Sequence, residues 1–332
     1  MNNKIKGSLL VLGGILLMSG CAQKVTVKAL QPAEVSRAAL TKKVAVTAFK
    51  NDKENISGKI EADLAKHKLD GKQYFTIVSR QDLNKVLKEQ RIGTSGLIDP
   101  NTATEVGKLI GAQAIISGRT GNASSSDTHF YETRTRCNKN GCWKVRVSCT
   151  KRVAGLDAEI RMIDTKKGDI IYADTINKTA SWKHCNDDSR PLPSTMMASQ
   201  QLASAIASDF TYKLVPHYVY YKVALLDKPD LEYTKKQKAL LKLSLAFIKA
   251  KRYHRAEKLL KKLINSTNGK SYVPLYDLGV LREAKGDYEG AKNLYTKADN
   301  LTVEPVDEIN QAINHIDKII EQNKQALKQL KK

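Results

Sequence analysis

The chain has 332 residues, with 56 Lys or Arg against 34 Asp or Glu, and a formal charge of +22. That length accommodates two ordinary domains. Beyond the first twenty residues no run approaches eighteen consecutive apolar residues, which excludes a further membrane-spanning helix. A basic excess of this size points to an anionic partner, or to a solvated lysine-rich surface.

The first segment carries Lys4 and Lys6, then an apolar run from Leu9 to Met18, then Ser19-Gly20-Cys21. Charge, a short apolar stretch and small residues in that order predict a secretory leader over residues 1–20. The apolar run spans roughly 15 Å as a helix, too short to cross a bilayer. The small residues before Cys21 resemble the lipobox of bacterial lipoproteins, in which the cysteine thiol accepts a diacylglycerol before cleavage. The resemblance makes Cys21 the lipid anchor, with acyl chains worth about 0.8 kcal/mol per buried CH₂. Residue 22 is Ala rather than Asp, which by resemblance to enterobacterial lipoproteins implies the outer membrane, facing the periplasm. Export removes nucleic acid from the partners that a basic chain of about +20 would otherwise suggest. Anionic lipid, lipopolysaccharide phosphates, peptidoglycan carboxylates and acidic proteins remain.

Residues 21–42 read as the lipidated cysteine and a tether containing Pro32. Residues 43–226 read as an α/β domain. Val44-Ala-Val-Thr-Ala-Phe49 predicts a buried strand, and Ile56, Ile60 and Leu64 place an apolar stripe on a helix. Tyr74-Phe-Thr-Ile-Val78 predicts a second strand. Ser79 is a candidate N-cap for a helix bearing Leu83, Val86 and Leu87. Asp99 with Pro100 opens another helix with Val106, Leu109 and Ile110, before a third strand at Ala114-Ile-Ile-Ser117. Antiparallel strands follow, and a helix from Ser194 to Leu214 closes a layered α/β unit around a mixed sheet.

Four cysteines fall in that antiparallel region: Cys137, Cys142, Cys149 and Cys185. An even number in an exported chain predicts disulfides. Residues 156–180 alternate as two strands around Thr165-Lys-Lys-Gly168-Asp169. If Thr165 faces Asp169, the same register sets Cys149 opposite Cys185. Cys137 and Cys142 flank the turn Asn138-Lys-Asn-Gly141. The predicted pairs are Cys137–Cys142 and Cys149–Cys185. A four-cysteine zinc site near His184 is the alternative, although zinc knuckles favour two intervening residues where four stand here.

Leu87-Lys-Glu-Gln-Arg91, Thr94-Ser-Gly96, Asp99-Pro100, Val106-Gly-Lys-Leu109, Gly111-Ala112 and Ile115-Ile-Ser-Gly118 resemble the curli secretion-channel lipoprotein family (CsgG/HfaB). Ile160-Arg-Met-Ile-Asp-Thr-Lys-Lys-Gly-Asp-Ile-Ile171 is similar to its strand, turn and strand. The resemblance covers about residues 43–215 and implies a CsgG-like periplasmic domain. Pore-forming members are described as rings whose subunits each give two hairpins to a β-barrel and a long constriction loop. Here Phe49 to Ser57 is short for that loop. The hairpin from Phe130 to Thr150 carries Glu132, Arg134, Arg136, Lys139, Lys144 and Arg146, costly where they would meet lipid. The second candidate, Lys178 to Pro193, has too few residues for two spanning strands and is polar. These departures favour the family fold without the pore.

From residue 235 the pattern becomes helical and repeats. Leu243, Tyr253, Ala256 and Leu260 return 35 residues later as Leu278, Tyr288, Ala291 and Tyr295. Residues 275–295, with Gly279 and Gly286 in register, resemble a tetratricopeptide repeat (TPR). Two such repeats over 235–304 predict an all-α repeat domain that binds a protein partner. A helix over 306–332, with Ile309, Ile313, Ile316 and Ile320, is expected to cap it. Between Lys235 and Lys262 eleven residues are Lys or Arg and one, Glu257, is acidic. Lys238, Lys242 and Lys249 form a candidate stripe for an acidic partner.

No catalytic constellation emerges: the six histidines are scattered, and there is no phosphate-cradling glycine loop or nucleophile elbow. Ser124-Ser-Ser126, Asp127 and His129 read as a polar loop. No enzyme, cofactor or resident metal is expected. The sequence predicts an outer-membrane-anchored periplasmic adaptor in assembly or secretion of a surface structure or envelope complex. An oligomeric curli-type channel is the alternative, so a homo-oligomer stays open. Cys21→Ser is expected to release the protein from membranes after a salt wash in fractionation, and retention would contradict acylation as the principal anchor.

Overall fold

The structure, a computed structural model, describes residues 23–93 and 96–331. The leader, Cys21, Thr94 and Ser95 lie outside the described residues. The chain divides into two compact units. One holds 29–219 and 321–331, the other 23–28 and 220–320.

In chain order the elements begin with β1 (Lys24–Gln31), α1 (Ser36–Leu40), β2 (Lys43–Val46) and α2 (Ile56–Lys66). A small hairpin of β3 (Lys68–Leu69) and β4 (Lys72–Gln73) precedes β5 (Thr76–Ile77), α3 (Arg80–Glu89) and α4 (Pro100–Ile110). Next come β6 (Ala114–Thr120), β7 (Ser124–Asn138), β8 (Gly141–Asp164), β9 (Ile170–Cys185), α5 (Thr195–Leu214) and β10 (His217–Ala224). Helices α6 (Lys235–Lys249), α7 (Tyr253–Ser266), α8 (Tyr272–Ala284), α9 (Tyr288–Asp299) and α10 (Asp307–Leu330) complete the chain.

The α/β unit is built on a mixed sheet ordered β5-β2-β6-β8-β7, with β9 also paired to β8. Strand β2 runs parallel to β5 and β6, and β8 is antiparallel to β6, β7 and β9. Both sheet faces are covered, so its inner strands are buried on both sides. Val44, Val46, Ala114, Ile116, Ile160 and Met162 enter a core with α2 and α5. Ala45, Ile115 and Ile163 enter a second core with Leu83, Leu87, Ala103 and Val106 of α3 and α4. Asp99 caps α4 as expected, accepting from the backbone N–H groups of Asn101 and Thr102. Ser79 stands at the start of α3 but makes no side-chain cap.

Several expectations change. From residue 23 to 41 the expected tether is instead ordered structure: Val25, Val27 and Ala29 alternate inward along β1, which pairs with β10, and α1 follows. The 74–78 strand shrinks to Thr76–Ile77, while Tyr74 and Phe75 are buried as core side chains. The two expected hairpins share one uninterrupted 24-residue strand, β8. Ser124 to His129 is not a loop but the first part of β7, paired with β8 from Gly155 to Thr150. Its polar residues are exposed on both faces, so no apolar alternation marked it. Lys178 to Cys185 forms no hairpin of its own, because it is the end of β9, paired with β8.

In the helical unit, α6 and α7 form one helical hairpin and α8 and α9 the next, with α7 packing on α8. Lys251 adopts φ +57 where Gly286 has φ +81, the left-handed turn shared by the two copies. Ser244 and Gly279 mark the close approach; Ser244 is fully buried. Leu243 departs from its counterpart: it is 49% exposed, whereas Leu278 is 4% exposed. Glu283 is fully buried and accepts hydrogen bonds from Tyr221 Oη at 2.5 Å, from Tyr295 Oη and from His315 Nε2 at 2.8 Å. Nδ1 of His315 faces the Gln311 carbonyl at 2.8 Å, so both ring nitrogens meet acceptors. Burial opposes charge on His315, but Glu283 outweighs it and raises the imidazole pKa. Helix α10, expected only as a cap, has buried residues along both of its halves. Ile309, Ala312 and Ile316 are buried in its first half, while Ala326 joins the α/β core.

A Cβ on Gly279 would lie 2.6 Å from the Tyr295 ring. Gly279→Val is therefore expected to cost about 1–3 kcal/mol of overpacking, read as a lowered melting temperature of the helical circular dichroism signal. An unchanged melting temperature would contradict that contact.

Candidate functional site

Helix α6 begins with a complete capping box between Thr234 and Gln237. Its Lys238, Leu241, Lys242 and Leu245 follow an i, i+3, i+4, i+7 pattern and so share one face. They line a cleft of about 830 Å³ together with Asp227, Pro229, Leu231, Glu232 and Tyr233. Leu241 is buried at its floor and Leu231, 45% exposed, forms part of the opposite wall.

The 227–233 wall is held by Asp230. Its carboxylate accepts from the Tyr272 backbone N–H at 2.7 Å and from Ser271 Oγ at 2.5 Å. Ser271 makes no cap for α8 with its own side chain, so Asp230 serves that end from the neighbouring segment. The Asp277 carboxylate, fully buried, accepts from the Leu226 backbone N–H at 2.9 Å. Burial pushes the Asp277 pKa well above the carboxylate range.

Of the sequence-predicted stripe, Lys238 and Lys242 line this cleft. Lys249 is exposed in the last turn of α6 and is not among the lining residues. At 100° per residue the three fall within about 40° of one another. Leu231, Tyr233 and Asp230 were missed, although Pro229, Asp230 and the Thr234 cap mark a turn into a helix. Glu257 faces Lys261, Arg282 and Lys285 at 3.0, 3.0 and 2.5 Å. The one acid between Lys235 and Lys262 is thus neutralised internally.

The second candidate region is the ribbon of β7, β8 and β9. Cys137 is joined to Cys142, and Cys149 to Cys185, as predicted. The pairs lie on opposite ribbon faces, since partners across β7 and β8 share a face and successive residues alternate. The four sulfurs do not converge as a tetrahedral zinc site requires. His184 Nδ1 instead meets the Arg190 carbonyl at 2.7 Å. Glu132 approaches Cys149 and Cys185, but both sulfurs are engaged in their disulfide.

Residues 186–188 fold over one ribbon face. Asp187 pairs with Arg134 and Arg136 at 2.6 and 3.0 Å, and Asp188 with Arg134 at 2.9 Å. Arg134 and the Cys185 backbone N–H hold the Asp188 carboxyl below its ordinary pKa. Beneath lie Val147, Cys149 and Cys185, with Phe130 and Val145 packed against them. Glu132, Arg134 and Arg136 stand opposite Val147, Val145 and Trp143, while Lys144 and Arg146 point to the other face. Both faces therefore carry charge, and neither offers the apolar side that a lipid-facing barrel strand needs. Among the described residues no helix is long and apolar enough to cross a membrane.

Residues 26–186 match the family model described as "Curli production assembly/transport component CsgG". The α/β unit contains a CsgG-like domain. The match ends before α5 and the helical region. No curated protein matches the chain significantly. Among solved structures, the LpoB C-terminal domain from Salmonella enterica is 15% identical, over 43% of this chain and 91% of that one, with a TM-score of 0.26. Lipoprotein GNA1162 from Neisseria meningitidis is 15% identical, over 51% and 97%, at 0.24. The PelC dodecamer from Paraburkholderia phytofirmans is 14% identical, over 58% and 97%, at 0.23. Likeness at this level bears on neither the function nor the assembly of this chain.

Glu257 supplies a pH test of the helical unit. Hydrogen bonds from Lys285 and Lys261 outweigh burial and lower its pKa to about 2. Its stabilising contribution is present above the unfolded pKa, about 4.3, and is lost as pH falls toward 2. Glu257→Gln is expected to lower the melting temperature at neutral pH and to flatten its fall on acidification. An unaltered pH profile would contradict the network.

Proposed function

We propose that this protein is a lipid-anchored envelope scaffold, held at the outer membrane and facing the periplasm. Its α6 face docks an acidic segment of a protein partner during assembly or secretion of a surface structure or envelope complex. The observation that carries this reading is the cleft lined by Lys238 and Lys242 above Leu241 and Leu245. On the α6 side an apolar floor lies beneath cations, while Asp227 and Glu232 stand in the facing wall, which suits an amphipathic segment that lays its acids against α6. Helix α6 has no acidic residue, and Glu257 is occupied by its own lysines and arginine. Reading α6–α9 as two TPR-like repeats accounts for the 35-residue offset and gives the partner a helical surface.

The anchor fits the same picture. Gln23 Nε2 donates to the Leu245 carbonyl at 2.9 Å. Gln23 lies two positions after Cys21, a reach of about 7 Å. A lipid on Cys21 would thus hold the cleft close to the membrane surface.

A curli-type channel has less support, since both faces of the ribbon are charged and the 178–193 segment supplies no second hairpin. Periplasmic cross-linking followed by pull-down tests the scaffold reading. Reversing Lys238, Lys242 and Lys249 to Glu is expected to cut recovery of an acidic partner at least about tenfold, roughly 1.4 kcal/mol. Recovery equal to wild type would contradict it, as would rings with a central hole in negative-stain images.

A further inference from the structure

The outer part of the ribbon has no role in the proposed scaffold. Strand β8 pairs with β6 only from Ala158 to Asp164, and with β9 only as far as Cys149. Residues 131–148 therefore project as two strands alone, roughly 25 Å long. Asp187 and Asp188 pair with Arg134 and Arg136 on one face, the face that also carries Trp143 opposite Arg136. The other face exposes Tyr131, Thr133, Thr135, Lys144 and Arg146; Lys139 is exposed in the end turn, and Trp143 is exposed on the first face, one residue from the Cys137–Cys142 pair.

Charge on this tip is of one sign. No acidic residue occurs from Thr133 to Thr150. Among the described residues neither Lys139 nor Lys144 has an anionic partner, and Arg146 stacks on the Tyr131 ring at 4.5 Å. Tyr131 and Trp143 are 64% and 47% exposed. The Cys137–Cys142 disulfide closes the hairpin at its last turn.

We propose that this tip is a peripheral membrane-docking element that seats on a bilayer surface bearing anionic phosphate headgroups. Trp and Tyr are suited to that interface, with an apolar ring and a polar edge. Each Lys or Arg near an anionic surface strengthens binding by about fivefold. Area favours a bilayer over a protein. Two strands of this length offer a face of a few hundred Å² at most, whereas a stable protein interface needs roughly 800 Å² per partner. Charge on both faces keeps the tip at the surface rather than across the membrane. The proposal does not depend on the lipid at Cys21 or on the α6 cleft.

Trp143 provides the readout, because Trp182 is the one other tryptophan and Trp182→Phe leaves Trp143 alone. The full-length Trp182→Phe chain is mixed with vesicles of phosphatidylcholine alone, or with phosphatidylglycerol added. Lipids brominated near the headgroup serve as quenchers. Quenching of Trp143 is expected with phosphatidylglycerol, reversed by high salt. Combined Lys139→Glu, Lys144→Glu and Arg146→Glu should lower it about a hundredfold in lipid affinity. Emission unaffected by the anionic vesicles would overturn the proposal. So would quenching that persists in high salt and in the triple variant, which would indicate insertion. If Trp182→Phe does not fold, flotation of the chain with both tryptophans measures the same binding. Flotation with phosphatidylglycerol vesicles that the triple reversal abolishes is then expected, and flotation that is absent or unchanged by it would overturn the proposal.

Discussion

The backbone pairing of a single strand holds the α/β unit together. Along its 24 residues β8 meets β6, β7 and β9 in turn. Because strand side chains alternate, β8 serves different surroundings along one line. Ala154, Leu156, Ala158, Ile160 and Met162 enter the α2–α5 core. Ile163, the next residue, alternates to the opposite face toward α3 and α4. Toward its start the same strand delivers Val147 and Cys149 beneath the 186–188 segment, and Lys144 and Arg146 to solvent. A one-residue slip would exchange these faces throughout.

In the helical unit the buried carboxyls of Asp277 and Glu283 and the half-buried Asp230 join segments distant in sequence. Glu283 gathers hydroxyls from β10 and α9 and the imidazole from α10. Asp230 and Asp277 tie the segment before α6 to the start and middle of α8. Burying such groups costs several kcal/mol unless they find partners. Each fixes a junction that apolar packing would leave able to slide. The cleft beside α6 exists because its far wall is fastened in this way.

Much of this was readable from the chain because it rests on local periodicity. The strand-helix order, the Asp99 cap, the 35-residue offset and the helix after Ser194 all follow from spacing. The pairing of Cys149 with Cys185 followed from a register in which paired numbers total 334, and that register holds from Met162 outward. At the turn it does not: Ile163 faces Ile170, and the shift lies between the turn and the cysteines. What stayed hidden depends on contacts distant in sequence. The alternation of β1 was obscured by its place beside the lipid-anchor motif, and β7 lacks an apolar face because its ribbon leaves the sheet. The wall of the cleft is set by Asp230 reaching across to Tyr272, which no local pattern records.

The central claim is that β8 is one continuous strand whose registers with β7 and β9 set both ribbon faces and both disulfides. Mass spectrometry of peptides from the unreduced protein tests it most directly. The account predicts one linked pair containing Cys137 and Cys142, and a second joining Cys149 to Cys185. Linkage of Cys137 to Cys149 or Cys185 would contradict it.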